Sequence, residues 1–380
     1  MEYAVPYVLL ICLYGILALW YHLTGDATKR AIILLLCSTI FLFFFGFRGF
    51  CFYDWNAYYP AFQSIPTNLG TVLFNETWYE PGFTTLIVVC KSIYNNYHFF
   101  IFVCTCINTI LLTRFLFHYI DNIPLGFIIY LCMGGITIST DLLRNAISIM
   151  LFINAIEYII ERRPVYYFGV CILALSFHLS SIFFFPLYFI LNRNWGYWTY
   201  LALFCVGNAI LLFQIPVFKS IISFISIFLD ETTREHIDEY TRLLPSASFQ
   251  ISIGYLERLL TGLLVFLYYN RLQEVRGSTI FINCLLIYFT MFFVFSEFKT
   301  ISLRLSTLFA FAYIPIWTDL IKCISIKFNR MLFIAFICVY SLFKILNSTN
   351  GIIYDYDNVL WGADSFNVRQ VIFKKNYDGD

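Results

Sequence analysis

The stretch Asp141-Leu-Leu-Arg144-Asn145-Ala-Ile-Ser-Ile-Met150-Leu-Phe-Ile-Asn154-Ala-Ile-Glu157-Tyr-Ile-Ile160-Glu-Arg162-Arg163 decides the fold class. Residues 142–160 are apolar enough to cross a bilayer, because a helix rises about 1.5 Å per residue and the hydrocarbon layer is about 30 Å thick. Two arginines follow one end of the run and Arg144 lies inside the other. An arginine at the bilayer centre costs roughly 2.5 to 3.5 kcal/mol on insertion scales, so Arg144 must line a polar cavity, meet an anion or reach the interface. Asp141, three residues before it, is positioned to pair with it on one helix face. Phosphate binding is the competing role, since a guanidinium stays charged and grips phosphate oxygens at two points.

The same pattern fills the chain. Of 380 residues, 60% are hydrophobic and 12% charged, about half the charged share of a soluble domain, and mean hydropathy is +0.77. The runs are continuous, without the ten-residue alternation of a membrane β-strand. The expectation is an all-α, polytopic membrane protein with about 10–12 transmembrane segments. Spans are expected near 4–23, 30–47, 98–116, 123–140, 142–160, 197–215, 251–270, 278–296, 301–320 and 329–346. The first carries no preceding Lys or Arg and no small-residue cleavage pattern, so it reads as a retained span.

Two segments do not fit a straight span. Residues 80–96 are short and contain Pro81, Gly82 and Lys91, while 164–192 are too long and hold His178, Ser180, Ser181 and Pro186. Short-loop basic groups at Lys29–Arg30, Arg162–Arg163, Arg271–Arg276 and Lys322–Arg330 mark the cytoplasmic side. That parity holds only if both odd segments enter and leave on one side, as broken or re-entrant helices lining a cavity. It places Arg48, Asp54, Glu80, Arg144 and Arg304 on the outer face, with His178 at a break rising towards them. Residues 1–350 are expected to form one transmembrane domain, followed by a tail at 351–380 whose side the charges leave open. Outer loops are expected at about 48–79 and 218–250, the second opening with an interfacial amphipathic helix.

Balanced charge, net +1, gives no footprint for nucleic acid. The 12 cysteines fall mostly inside apolar runs with no CxxC, as small hydrophobes do. There is no GxxxxGK[ST], no GxGxxG after a strand, no HExxH and no metal-ligand spacing. No cofactor and no metal are therefore expected, and any transferred group must arrive already attached to a lipid. Among polar candidates, Asp54 with Trp55 and Tyr58 suits a sugar, the carboxylate accepting hydroxyl protons while rings cover apolar sugar faces. Glu80 before Pro81-Gly82 is either a catalytic carboxylate or a favourable charge at a helix N-terminus. His178 is either a hydrogen-bonded core residue or the general base, its reference pKa being roughly 6.5.

Phe47-Arg48-Gly49 with Asp54 and Tyr58 beyond, Glu80-Pro81-Gly82, Arg144 before an alanine-containing helix start, Phe177-His178 with Ser180, and Arg304 occur in that order. In this arrangement the chain resembles the EpsG-like membrane proteins of bacterial exopolysaccharide and capsule loci, counted among the Wzy-type polysaccharide polymerases. Phe52 departs from the pattern, since such proteins often carry glycine there. The resemblance implies a multi-pass protein of the bacterial inner membrane that joins undecaprenyl-diphosphate-linked oligosaccharide repeat units, including those of O-antigen, at the outer leaflet. Arg48, Arg144 and Arg304 would bind the diphosphate, and His178, Asp54 or Glu80 would take the acceptor proton. Flippase and chain-length regulator proteins would be partners, alongside membrane lipid. A transporter of lipid-linked saccharide is the alternative from another class, and a membrane acyltransferase acting on glycans is a third.

Overall fold

A computed structural model describes residues 2–67, 70, 79–217, 219–221 and 252–377. Nearly all of the expected interfacial stretch at 218–250 lies outside them, as does most of 68–78. The described chain is helical and divides into two compact units, Met1–Ile190 with Lys327–Asp380, and Leu191–Ile326. No shift of composition marks either boundary.

In the first unit, α1 (Val5–Leu23), α2 (Ala27–Gly46), α3 (Trp55–Ser64), α4 (Pro81–Ile93), α5 (Tyr97–Tyr119), α6 (Ile123–Thr140), α7 (Leu143–Ile160) and α8 (Pro164–Phe177) follow in order, and Lys327–Ser348 packs on α1. Of these, α1 (extended to Glu2), α2, α5, α6, α7 and Lys327–Ser348 are long and apolar enough to cross a membrane. Starts are capped where the sequence provides caps: Asp26 accepts from the Thr28 amide, Asn96 from Phe99 and Asn122 from Leu125. Helix α6 is interrupted at Met133 and Gly134, whose φ of 105° needs a residue without Cβ.

The helix directions bring the polar residues to one end. Asn154 donates to the Leu111 carbonyl at 2.9 Å and Arg114 lies 3.6 Å from Glu157, the same offset along both helices, so α5 and α7 run parallel. Helix α8 runs back along α7, with Ser148 donating to the Ala174 carbonyl. Beyond His178 the chain turns over. Phe184 then stacks on Phe152 at 4.1 Å and its carbonyl accepts from Tyr167. Residues 164–190 therefore rise and return as a broken hairpin with His178 at its tip, as expected. Helix α4 has thirteen residues, about 20 Å at 1.5 Å per residue, too short to cross. It starts at Arg144 and ends where α5 begins, so 80–96 likewise enters and leaves at one end. Ser176 crowds Gly82 so closely that a Cβ there would collide.

The tail joins the same end. The amide of Gly49 donates to the Asp357 carbonyl, Phe52 to Ile353, and Val359 to Phe47. Arg369, nearly buried, reaches Asp355 at 2.8 Å, Asp357 at 3.2 Å and Asp364 at 3.7 Å. Phe366 and Phe373 of the terminal helix Phe366–Tyr377 pack edge-on against Trp55.

In the second unit the expected spans are shorter or bent. Tyr197–Leu212, Ile253–Leu267 and Ser278–Val294 are 16, 15 and 17 residues. The expected 301–320 span is bent by 50° between Thr307 and Ala310. The hydroxyls of Ser306 and Thr307 both donate to the Leu303 carbonyl just before the bend, a side-chain competition that perturbs a helix. Arg258 donates to the Gly254 carbonyl and to the Tyr288 hydroxyl, and Glu257 accepts from Thr261.

Candidate functional site

At the polar end of the first unit, Arg144 stands in the first turn of α7, where the helix starts without a side-chain cap. Its Nη1 lies 2.6 Å from Glu80 Oε2, its Nε donates to the Tyr58 hydroxyl at 3.3 Å, and its guanidinium carbon sits 4.6 Å above the Tyr79 ring. Both partners of the ion pair keep some exposure, 24% for Arg144 and 19% for Glu80, so the pair borders solvent or ligand. Glu80 Oε1 accepts the Leu179 amide at 2.9 Å, tying α4 to the hairpin tip. Burial alone would raise the Glu80 carboxyl. The amides of Glu80 and Leu179 and the Arg144 guanidinium outweigh it and hold the acid below its usual range.

His178 occupies the extended residue between α8 and the next turn, with φ −156° and ψ 130°. Its Nδ1 lies 2.8 Å from Ser180 Oγ and 3.1 Å from the Ser180 amide, and Ser180 Oγ lies 3.2 Å from Asn145 Oδ1. Two adjacent residues of α7 thus reach the hairpin tip, Arg144 through Glu80 and Asn145 through Ser180.

Asp141 does not pair with Arg144. Its Oδ1 accepts the amides of Tyr53 at 2.9 Å and Asp54 at 3.2 Å, because the chain turns between α6 and α7 and directs the carboxylate across to the start of α3. Burial first, and then the Asp54 charge, push the Asp141 carboxyl up to about 7, against the lowering effect of the two amides and of Arg48. Asp54 itself precedes α3, partly exposed.

Arg48 is buried, its guanidinium donating to the main-chain carbonyls of Phe45 and, at 3.0 Å, Thr140. It fastens the end of α2 to the end of α6. Trp55 and Tyr58 are buried too, at 5% and 6% exposure. Trp55 donates to the Phe52 carbonyl and packs between Phe50 and the tail. Tyr58 presents its hydroxyl to Arg144. Arg304 belongs to the second unit, exposed on the short helix Lys299–Thr307.

Sequence reasoning brought Glu80, Arg144, His178, Asp54 and Tyr58 to this end. It assigned no part to Tyr79, Asn145 or Tyr53, although Tyr79 and Asn145 flank charged residues already singled out. Among the described residues no group of three His, Cys, Asp or Glu side chains is arranged around a metal position.

The family model described as the EpsG family matches residues 31–358, which hold every one of these side chains. No curated protein and no solved structure matches the chain. The chain belongs to the EpsG family, a membership that associates this multi-pass membrane protein with polysaccharide biosynthesis.

Proposed function

We propose that this EpsG-family protein is a Wzy-type polysaccharide polymerase. It would join undecaprenyl-diphosphate-linked oligosaccharide repeat units at the outer face of the bacterial inner membrane. The observation that carries the reading is the convergence of a partly exposed Arg144–Glu80 pair and His178 at the tip of a broken hairpin. Cation, carboxylate and imidazole at the rim of an apolar bundle suit a phosphate-bearing lipid whose glycan lies outside it.

In the proposed reaction the acceptor sugar's hydroxyl oxygen attacks the anomeric carbon of the donor glycan. The bond from that carbon to the diphosphate oxygen breaks, and its electron pair leaves with undecaprenyl diphosphate. Arg144 stabilises the charge that develops there, the largest demand such a transition state makes on its site. The hydroxyl proton passes to His178. Glu80, held ionised by Arg144, is a weak base and positions the guanidinium instead. Tyr58 and Tyr79 hold the other faces of that guanidinium, and Asp54 is the carboxylate offered to sugar hydroxyls. Arg48 and Trp55, both buried, maintain the loop that carries Asp54. Arg304 remains a proposed diphosphate contact on the second unit.

The break in α6 and the hairpin would also suit a carrier of lipid-linked saccharide, whose discontinuous helices line a substrate path. A deletion strain discriminates. Single lipid-linked repeat units accumulating at the outer leaflet support polymerisation, and accumulation at the inner leaflet supports transport.

A further inference from the structure

We infer that Lys91 is a positioning residue for Arg144, acting through α3 and the Tyr58 hydroxyl. The inference rests on the reading of Arg144 as the diphosphate contact. Arg144 is gripped from two short helices, by Tyr58 of α3 and by Glu80 at the start of α4. Where Tyr58 stands therefore depends on how α3 is held against α4. By itself α3 is a weak helix. It has ten residues, no side-chain cap at its start and Pro60 inside it, and an isolated helix of that length is marginal even without a proline. Its end is also short of amides. Ile65 is followed by Pro66, which has no N–H to offer the Phe62 carbonyl four residues back.

Lys91, in the last turn of α4, fills that end. Its Nζ donates to the carbonyls of Phe62 at 2.8 Å, Ile65 at 2.6 Å and Gln63 at 3.4 Å, and lies 5.1 Å from the centre of the Phe62 ring. The side chain is buried. A cation is the charge that a helix C-terminus favours, and an ammonium carries a hydrogen for each of these oxygens. Asp141 holds the opposite end of α3 by accepting the amides of Tyr53 and Asp54. The rings of Phe62, Phe83 and Phe100 fill the space between the helices, but apolar burial is non-directional and leaves the roll of α3 open. The polar contacts at its two ends, with Tyr58 between them, fix the face that α3 turns to Arg144.

The test compares wild type, Lys91→Met and Lys91→Arg as full-length proteins in detergent, by amide hydrogen exchange read with mass spectrometry and by the polymerisation assay. Lys91→Met keeps the length of the stem and removes the ammonium. Exchange in residues 55–65 is expected to quicken roughly ten- to a hundredfold, the effect of losing hydrogen bonds to a charged group, while α5 and α7 stay protected. Lys91→Arg, which returns a cation with donors, should restore most of the protection. With the cognate substrate, Lys91→Met should lower kcat and leave KM little changed. A Tyr58→Phe background separates positioning from stability. Once that hydroxyl is gone, Lys91→Met should cost little more, because both changes break one route to Arg144. Unchanged exchange in 55–65, exchange that rises across α5 and α7 as well, or losses in kcat that multiply in the double variant would each overturn the inference. Exchange that quickens only in 55–65, in a protein that forms no polymer from its cognate substrate, would instead sink the polymerase reading and leave the hold of Lys91 on α3 standing.

Discussion

Arg144 Nη1 stands 2.6 Å from Glu80 Oε2, while the other oxygen of Glu80 accepts the Leu179 amide. One carboxylate therefore joins the start of α7, the start of α4 and the tip of the hairpin. This geometry makes Arg144 less replaceable than its charge suggests. An ammonium cannot hold Glu80 and the Tyr58 hydroxyl while gripping phosphate at two points. Arg144→Lys should fail nearly as badly as Arg144→Ala. Losing a charge-assisted contact costs roughly 1.5 to 3 kcal/mol, about ten- to a hundredfold in rate when the contact is made in the transition state. Glycan chain length in cells expressing matched amounts of protein measures it. Normal chains with Arg144→Ala would remove the phosphate role.

Asp141 carries a pH prediction. Its carboxyl is raised to about 7 in the folded protein by burial and by Asp54, from an ordinary value of about 3.9 in an unfolded chain. The folded state thus binds the proton more tightly. The stabilising effect is complete below the unfolded value and is lost as pH rises towards and through about 7. Thermal unfolding in detergent should show stability falling between about pH 4 and pH 7. Asp141→Asn keeps an oxygen for the Tyr53 and Asp54 amides and should flatten that slope. An unchanged slope in the variant would show that another group titrates.

Phe52 takes φ 71°, a left-handed conformation that favours glycine. Its ring is buried edge-on against Tyr7 and Tyr354, and its amide donates to Ile353. Removing a buried phenylalanine ring costs about 3 to 5 kcal/mol, whereas relief of the left-handed backbone returns about 1 to 2 kcal/mol. Both Phe52→Gly and Phe52→Ala should destabilise the protein. Unusually for that pair, glycine should be the more stable, by about 1 kcal/mol. Melting temperatures of the two variants decide it, and alanine ahead of glycine would refute the backbone argument.

The helices and the broken hairpin were legible because apolar run length is a direct consequence of bilayer thickness. Segment 164–192 was too long for one span and its break fell at His178, the residue the sequence marked. Less was legible where main chain does the binding. The Arg48 guanidinium goes to the carbonyls of Phe45 and Thr140, and the tail meets Gly49, Phe52 and Phe47 through backbone bonds. Such contacts leave no residue pattern. Asp141 looked like a partner for Arg144 by spacing, but the turn after Thr140 directs it to the start of α3.

Sidedness follows from the same end of the bundle. Trp361 is largely exposed at the end that holds Arg144, and Asp121 is exposed in the turn joining α5 to α6 at the opposite end. In a cysteine-depleted background, an impermeant thiol reagent applied to intact spheroplasts should label Trp361→Cys and spare Asp121→Cys. The reverse pattern would put the site on the cytoplasmic face.

The most direct measurement is made on purified protein in detergent, supplied with its cognate undecaprenyl-diphosphate repeat units. Detergent leaves no compartments to cross, so a carrier can change nothing there, whereas a polymerase lengthens its substrate. The expected result is a ladder of products that forms with chelator present. His178→Ala should slow it by roughly a hundred- to ten-thousandfold without loss of the folded protein. Unchanged repeat units from an intact, folded preparation would contradict polymerisation and favour transport.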